Sequence, residues 1–221
     1  PGDPQLKTQV SIVAKLQPSA DGRQPALTTQ NAVLPQTLVL SSADGNQQLN
    51  LSANRLSVHG LRPYPGWDRL RRALADGVHI YKKATGATQI ARVAVRYIDR
   101  IALPKDEGLI LEEYFITLAR RPVAMGSALK GFSQSLHTFD TARNVHTVLH
   151  QASGPPTAAG APVILFDLNI LSDFSGGIDD DAWLKRLDEL HTLQREIFEQ
   201  SITDRTRALF RSKEGEDADL D

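Results

Sequence analysis

The segment RVAVRYIDRIALP, Arg92 to Pro104, constrains this chain more than any other. In a strand, successive side chains alternate between two faces. Val93, Val95, Tyr97, Asp99, Ile101 and Leu103 then share one face, and Arg92, Ala94, Arg96, Ile98 and Arg100 share the other. The first face is core and the second is a basic ladder, with Arg92 and Arg96 spaced by about 13 Å. Asp99 is the exception on the core side. A buried carboxylate is costly unless it is paired and hydrogen-bonded. Asp99 is therefore expected to bond backbone donors or a base, or to be turned outward by a bulge. A polar staple fixing the strand's register, a place in a ligand site and a part in catalysis are the three roles open to it.

The flanking sequence supplies the rest of a sheet and its cover. VSIVAKL (Val10–Leu16) has strand composition. QTLVLSS and QQLNLS flank ADGN, an Asp-Gly turn between alternating apolar residues, which is a strong hairpin cue. With RLSVHGL they predict a three-stranded meander. Trp67, Leu70, Leu74, Val78 and Tyr81 recur at helical spacing, predicting a helix from Gly66 to Ala84 that stops near Gly86. SQSLHTF and VHTVLHQ predict a second hairpin around DTARN, and LEEYFITLA is ambiguous between helix and strand. VILFDLNIL is almost wholly apolar and reads as a central strand. Asp179 to Asp181 then cap a long helix whose buried stripe is Trp183, Leu187, Leu190, Gln194 and Ile197. The expected fold class is α+β, a mostly antiparallel sheet with two main helices packed on one face. The order of elements also hints at a duplicated half.

Composition narrows the function more than it names it. Zero cysteines exclude disulfides, thiolate catalysis and cysteine zinc sites. No run approaches the roughly 20 apolar residues of a membrane helix, and no leader pattern is visible, so a cytoplasmic location is expected. The net charge of −1 is unevenly placed: Arg55 to Arg121 holds 13 Lys/Arg against 7 Asp/Glu, an excess of +6. Arginine outnumbers lysine 17 to 8, which favours planar, hydrogen-bonded pairing. A single domain is expected over 1–211, with the acidic stretch 212–221 disordered.

RLSVHGLRPYPGWDRLR, RVAVRYIDRI and FEQSITDRTRALF together resemble a sporadically distributed prokaryotic family of uncharacterised proteins. That family carries an Arg-Tyr-Ile/Leu-Asn-Arg-Ile strand, an upstream Pro-Tyr-x-x-Trp and a closing helix ending Phe-Glu-x-x-Ile-Thr. Asp99 stands where the family usually has asparagine. The family's initial strand and helix have no counterpart ahead of the Val10 strand, so the resemblance implies a domain lacking an N-terminal strand and helix. The resemblance spans Pro35 to Arg211 and implies no activity; the family's patchy distribution implies mobile or defence-associated genes.

The candidate binding residues are Arg92, Arg96, Asp99, Arg100, Tyr64 and Trp67. The arginine ladder can receive phosphates through bidentate contacts, or pair with acids on neighbouring strands, such as Asp167. No catalytic residue, metal site or cofactor is expected. His146 and His150 share a strand face but stand about 13 Å apart, too far for one ion. Phosphate-loop, nucleophile-elbow and dinucleotide fingerprints are missing. The leading expectation is a non-catalytic binding or scaffold domain acting on a protein or small-molecule partner, with self-association also open. A nucleic-acid or nucleotide-responsive component, or an enzyme acting on an anionic substrate through Arg96, Asp99 and Arg100, are the alternatives. An aromatic content of 6% argues against a stacking platform for nucleic acid.

Overall fold

The computed structural model describes residues 5–7, 10–17, 26–33, 37–105, 110–119, 122, 124 and 130–216. Beside the single domain expected over 1–211, the backbone divides into two compact units, Pro1–Thr88 and Gln89–Asp221. Each is α+β with antiparallel sheet, the fold class expected.

The first unit contains strands β1 (Gln5–Lys7), β2 (Val10–Gln17), β3 (Ala26–Val33), β4 (Thr37–Ser41), β5 (Gln47–Ser52) and β6 (Arg55–Gly60), then helix α1 (Trp67–Thr85). β2 and β3 pair with each other, while the second sheet runs β1-β4-β5-β6. The expected meander is β4-β5-β6. Its register sets Leu38 opposite Leu51, Leu51 opposite Leu56, and Leu49 between Leu40 and Val58. These leucines therefore share one face, and α1 covers it. Gly77 is the buried residue of α1; a Cβ there would come within 3.3 Å of Leu56 and 3.5 Å of Leu49. The missing side chain is what allows the helix to lie this close. Tyr81 ties the next turn down, its Oη donating to the carbonyls of Ser52 (2.9 Å) and Ala53 (2.7 Å). Gly86 ends the helix in the left-handed conformation, φ 72°, with its N–H on the Lys82 carbonyl.

The second unit contains β7 (Ile90–Ala102), a 3-10 turn (Leu111–Glu113), β8 (Ser133–Asp140), β9 (Val145–Gly154), β10 (Val163–Ile178), α2 (Asp180–Ser201) and α3 (Asp204–Glu216). Its sheet is ordered β7-β10-β9-β8, antiparallel throughout. The first and last strands are thus neighbours here but lie at opposite edges in the β1-β4-β5-β6 sheet, so the two units are not copies of one topology. β10 is central, as its apolar sequence requires. Its inward row, Ile164, Phe166, Leu168, Ile170 and Ser172, is no more than 3% exposed. Asp179 caps α2 through a 2.9 Å bond accepted from the Ala182 N–H. The expected stripe of α2 is buried at Trp183, Leu187, Leu190 and Gln194 and half-buried at Ile197.

One break was not expected. Ile202 interrupts the closing helix and separates α2 from α3. The Ile116 N–H donates to the Ser201 carbonyl (2.9 Å) and the Thr203 N–H to the Tyr114 carbonyl (3.0 Å), joining the stretch after the 3-10 turn to the break as a short antiparallel bridge. The ambiguous LEEYFITLA therefore resolves into a turn followed by this bridge. Thr206, fully buried, adds a 2.6 Å bond to the Tyr114 carbonyl. Part of the expected acidic tail is helical, since α3 runs to Glu216; residues 217–221 lie outside the described residues. Among the described residues, no helix is long and apolar enough to cross a membrane.

Candidate functional site

The two faces of β7 lie as its alternation requires. Val93, Val95, Ile101 and Leu103 are at most 6% exposed, while Arg92, Ala94, Arg96, Ile98 and Arg100 are exposed. α2 packs on the inward face: Phe198 meets Phe166 edge-on at 5.2 Å between ring centroids, and His191 lies 6.1 Å from Tyr97. His191 is thereby a packing residue on the apolar flank of the helix.

The opposite face of the sheet faces solvent. Strand alternation and register place there Arg92, Arg96, Ile98 and Arg100 from β7, and Asp167, Asn169 and Asp173 from β10. From β9 come His146 and His150, and from β8 Ser135, His137 and Phe139. Ile98 is 60% exposed and Phe139 50%.

Each ladder arginine is already engaged. Arg92 faces Asp173 directly in the register and holds it bidentately, Nε to Oδ1 at 2.6 Å and Nη2 to Oδ2 at 3.0 Å. Arg96 lies opposite Asn169 and reaches diagonally to Asp167, at 2.8 and 2.5 Å. A diagonal reach of this kind is within the range of a long side chain on an antiparallel pair. Arg100 donates from Nη2 to the carbonyls of Pro155 (2.7 Å) and Pro156 (3.3 Å), in the β9–β10 loop. The hydrogen bond from Arg92 holds the Asp173 carboxyl below its usual range. Conversely, the carboxylate partners raise the guanidinium values of Arg92 and Arg96. The pairing foreseen with Asp167 is present; Asp173 was not foreseen. It lies an even number of residues from Asp167, on the same face of one strand, and that spacing was the available signal.

Two histidines of this face are also held. Ser135 Oγ lies 2.9 Å from His137 Nε2, and His146 stacks on Phe139 with centroids 4.2 Å apart. Among the described residues, no group of three His, Cys, Asp or Glu side chains converges as a metal site.

Asp99 takes its place on the inward side, half-buried, opposite the fully buried Phe166, and it has a bonding or electrostatic partner. It is not one of the open-face residues. Tyr64 and Trp67 belong to the first unit, Tyr64 at 51% exposure and Trp67 half-buried as the first residue of α1; both are engaged in contacts. The six candidates therefore fall into three places: the open face (Arg92, Arg96, Arg100), the inward face (Asp99) and the start of α1.

A polar cluster missed by sequence reasoning lies under the inward face. Gln151, fully buried, accepts at Oε1 from Thr117 Oγ1 (3.0 Å) and Gln134 Nε2 (2.6 Å). Gln134 Nε2 also donates to the Thr117 carbonyl, and its Oε1 accepts from the Ala119 N–H. These bonds anchor the segment after the 3-10 turn against β8 and β9.

Compared with protein-family models, curated proteins and solved structures, the chain matches none. The resemblance to the sporadically distributed family therefore rests on its motifs alone.

Proposed function

We propose that this chain is a non-catalytic binding module whose working surface is the open face of the β7-β10-β9-β8 sheet, and that its partner is a protein. One observation carries this reading: an exposed sheet face on which Arg92 and Arg96 are locked bidentately by Asp173 and Asp167, beside exposed Ile98 and Phe139. Arginine and aromatic side chains are enriched at protein interfaces, and side chains held in place before binding lose less entropy on association. Because two of the three guanidinium charges are matched by carboxylates, the face suits a protein surface of mixed polarity better than a bare phosphate backbone. The same engagement speaks against the enzyme alternative, since Arg96 and Arg100 already spend donors within the chain. A cytoplasmic setting is part of the proposal.

The nucleic-acid alternative draws on Arg100, which donates to neutral carbonyls rather than to an acid in its observed bonds. It calls for binding that weakens steeply with added salt.

The test is affinity capture from the native host with three baits: the wild-type chain, an Ile98→Glu/Phe139→Ser variant, and a Thr192→Glu variant on the exposed side of α2. A protein partner retained by the first and third baits and lost from the second is expected. Equal retention by all three, or capture of nucleic acid alone, overturns the reading.

A further inference from the structure

β8 closes one side of the second unit's sheet, and its outer edge has no backbone partner among the described residues. Sheets commonly guard such an edge with lysine, proline, a bulge or a very short strand. β8 has none of these. It is 8 residues long, pairs with β9 in unbroken register, and carries one charge, Asp140, at its end. Its inward row runs out at Leu136. That residue lies opposite Leu149, which is 5% exposed, yet Leu136 itself is 48% exposed. Among the described residues, the apolar row of this face thus ends at Leu136, with Leu149 beside it on the β9 side.

We infer that the β8 edge is a homodimer seam, at which a second copy of this chain adds its own β8 antiparallel and joins the two sheets into one. The sequence of the strand favours a second copy over an unrelated extended peptide, because it is complementary to itself. A two-fold axis normal to the sheet pairs residues of like parity and keeps both open faces on one side. Centred on Leu136, it sets Leu136 against its own counterpart, Ser135 against His137, Gln134 against Thr138, and Ser133 against Phe139. Apolar meets apolar at the centre, and hydroxyls meet a ring nitrogen and an amide beside it. Asp140 falls beyond the paired span, so no like charges oppose each other. Centring on His137 instead opposes two imidazoles and leaves Leu136 against Thr138. Main-chain bonds along both strands join the copies, as in other strand additions.

The chain has no cysteine, so Leu136→Cys introduces a lone thiol. Opposed Cα atoms of an antiparallel pair lie about 4.5–5.5 Å apart, inside the disulfide range of about 4.4–6.8 Å. Under mild oxidation the Leu136→Cys chain is expected to form a covalent dimer at least about ten-fold faster than Ile80→Cys. Ile80 is an exposed apolar position, at 66%, on α1. In sedimentation velocity the wild-type chain is expected at twice its 24.2 kDa, and Leu136→Lys at the single mass with unchanged circular dichroism. A monomeric wild-type chain, a dimer that Leu136→Lys leaves intact, or cross-linking of Leu136→Cys no faster than that of Ile80→Cys overturns the inference. None of these outcomes depends on the partner proposed for the open face.

Discussion

Three donors converge on the carboxylate of Asp44 in the β4–β5 turn: Ser42 Oγ at 2.5 Å, Arg69 Nη2 at 2.8 Å and the Asn46 N–H at 3.3 Å. The Ser42 bond, followed by the Arg69 bond, holds its pKa down to about 2. A carboxyl depressed in the folded chain stabilises it above the unfolded value, and that contribution is lost as pH falls through the folded one. For Asp44 the window runs from the ordinary aspartate range down to about 2. A carbon-detected titration is expected to place its midpoint there in the wild-type chain, and higher in Ser42→Ala. The bidentate Arg96–Asp167 pair has different limits. Arg96 is 57% exposed, so solvent screens the pair, and a double-mutant cycle with Arg96→Ala and Asp167→Ala is expected to give a coupling of about 0.5–1 kcal/mol by urea unfolding. Its role is to hold a guanidinium in place more than to hold the fold together.

Among the elements, β7 was the most legible. Its alternation specified which side is buried, and Asp99, the residue that broke the pattern, still kept its place on the inward side. β10 and α2 were readable for related reasons, one from an unbroken apolar run and the other from a cap followed by a helical stripe. The α2–α3 break was not readable. Ile202 and Thr203 are compatible with a helix, and what interrupts it is a bridge to Tyr114 and Ile116, far away in sequence. Gln134 and Gln151 were missed similarly, because two glutamines on strands carry no local sign that they will meet. The end of β10 offers a sharper test. Gly177 sits at φ 75°, where the register shifts, and a Cβ there would come within 2.5 Å of Gln89 Cβ. Gly177→Ala combines a left-handed backbone with a clash against the root of a side chain. It is expected to destabilise the second unit by roughly 2 kcal/mol or more in thermal or chemical unfolding.

For the whole molecule, the sequence conveyed fold class better than organisation. Hydrophobic periodicity reports which face of an element is buried, and it does so equally for one core or for two. The division near Thr88–Gln89 was therefore invisible in a pattern that runs from α1 into β7 with only GATQ between. The +6 central excess was legible as a count but misleading as a surface: Asp167 and Asp173, outside that segment, neutralise two of its arginines across the sheet. What the fold adds is a place where charge, aromatic surface and fixed geometry coincide, on the open face of the second unit's sheet. Histidine-selective acylation of the chain, free and bound to its captured partner, probes that face most directly, because His137, His146 and His150 all lie on it while His79 is exposed on α1. Slower labelling of the three in the complex, with His79 unchanged, is the result expected. Labelling of His137, His146 and His150 at the free rate in the bound chain would contradict the assignment of the open face as the binding surface.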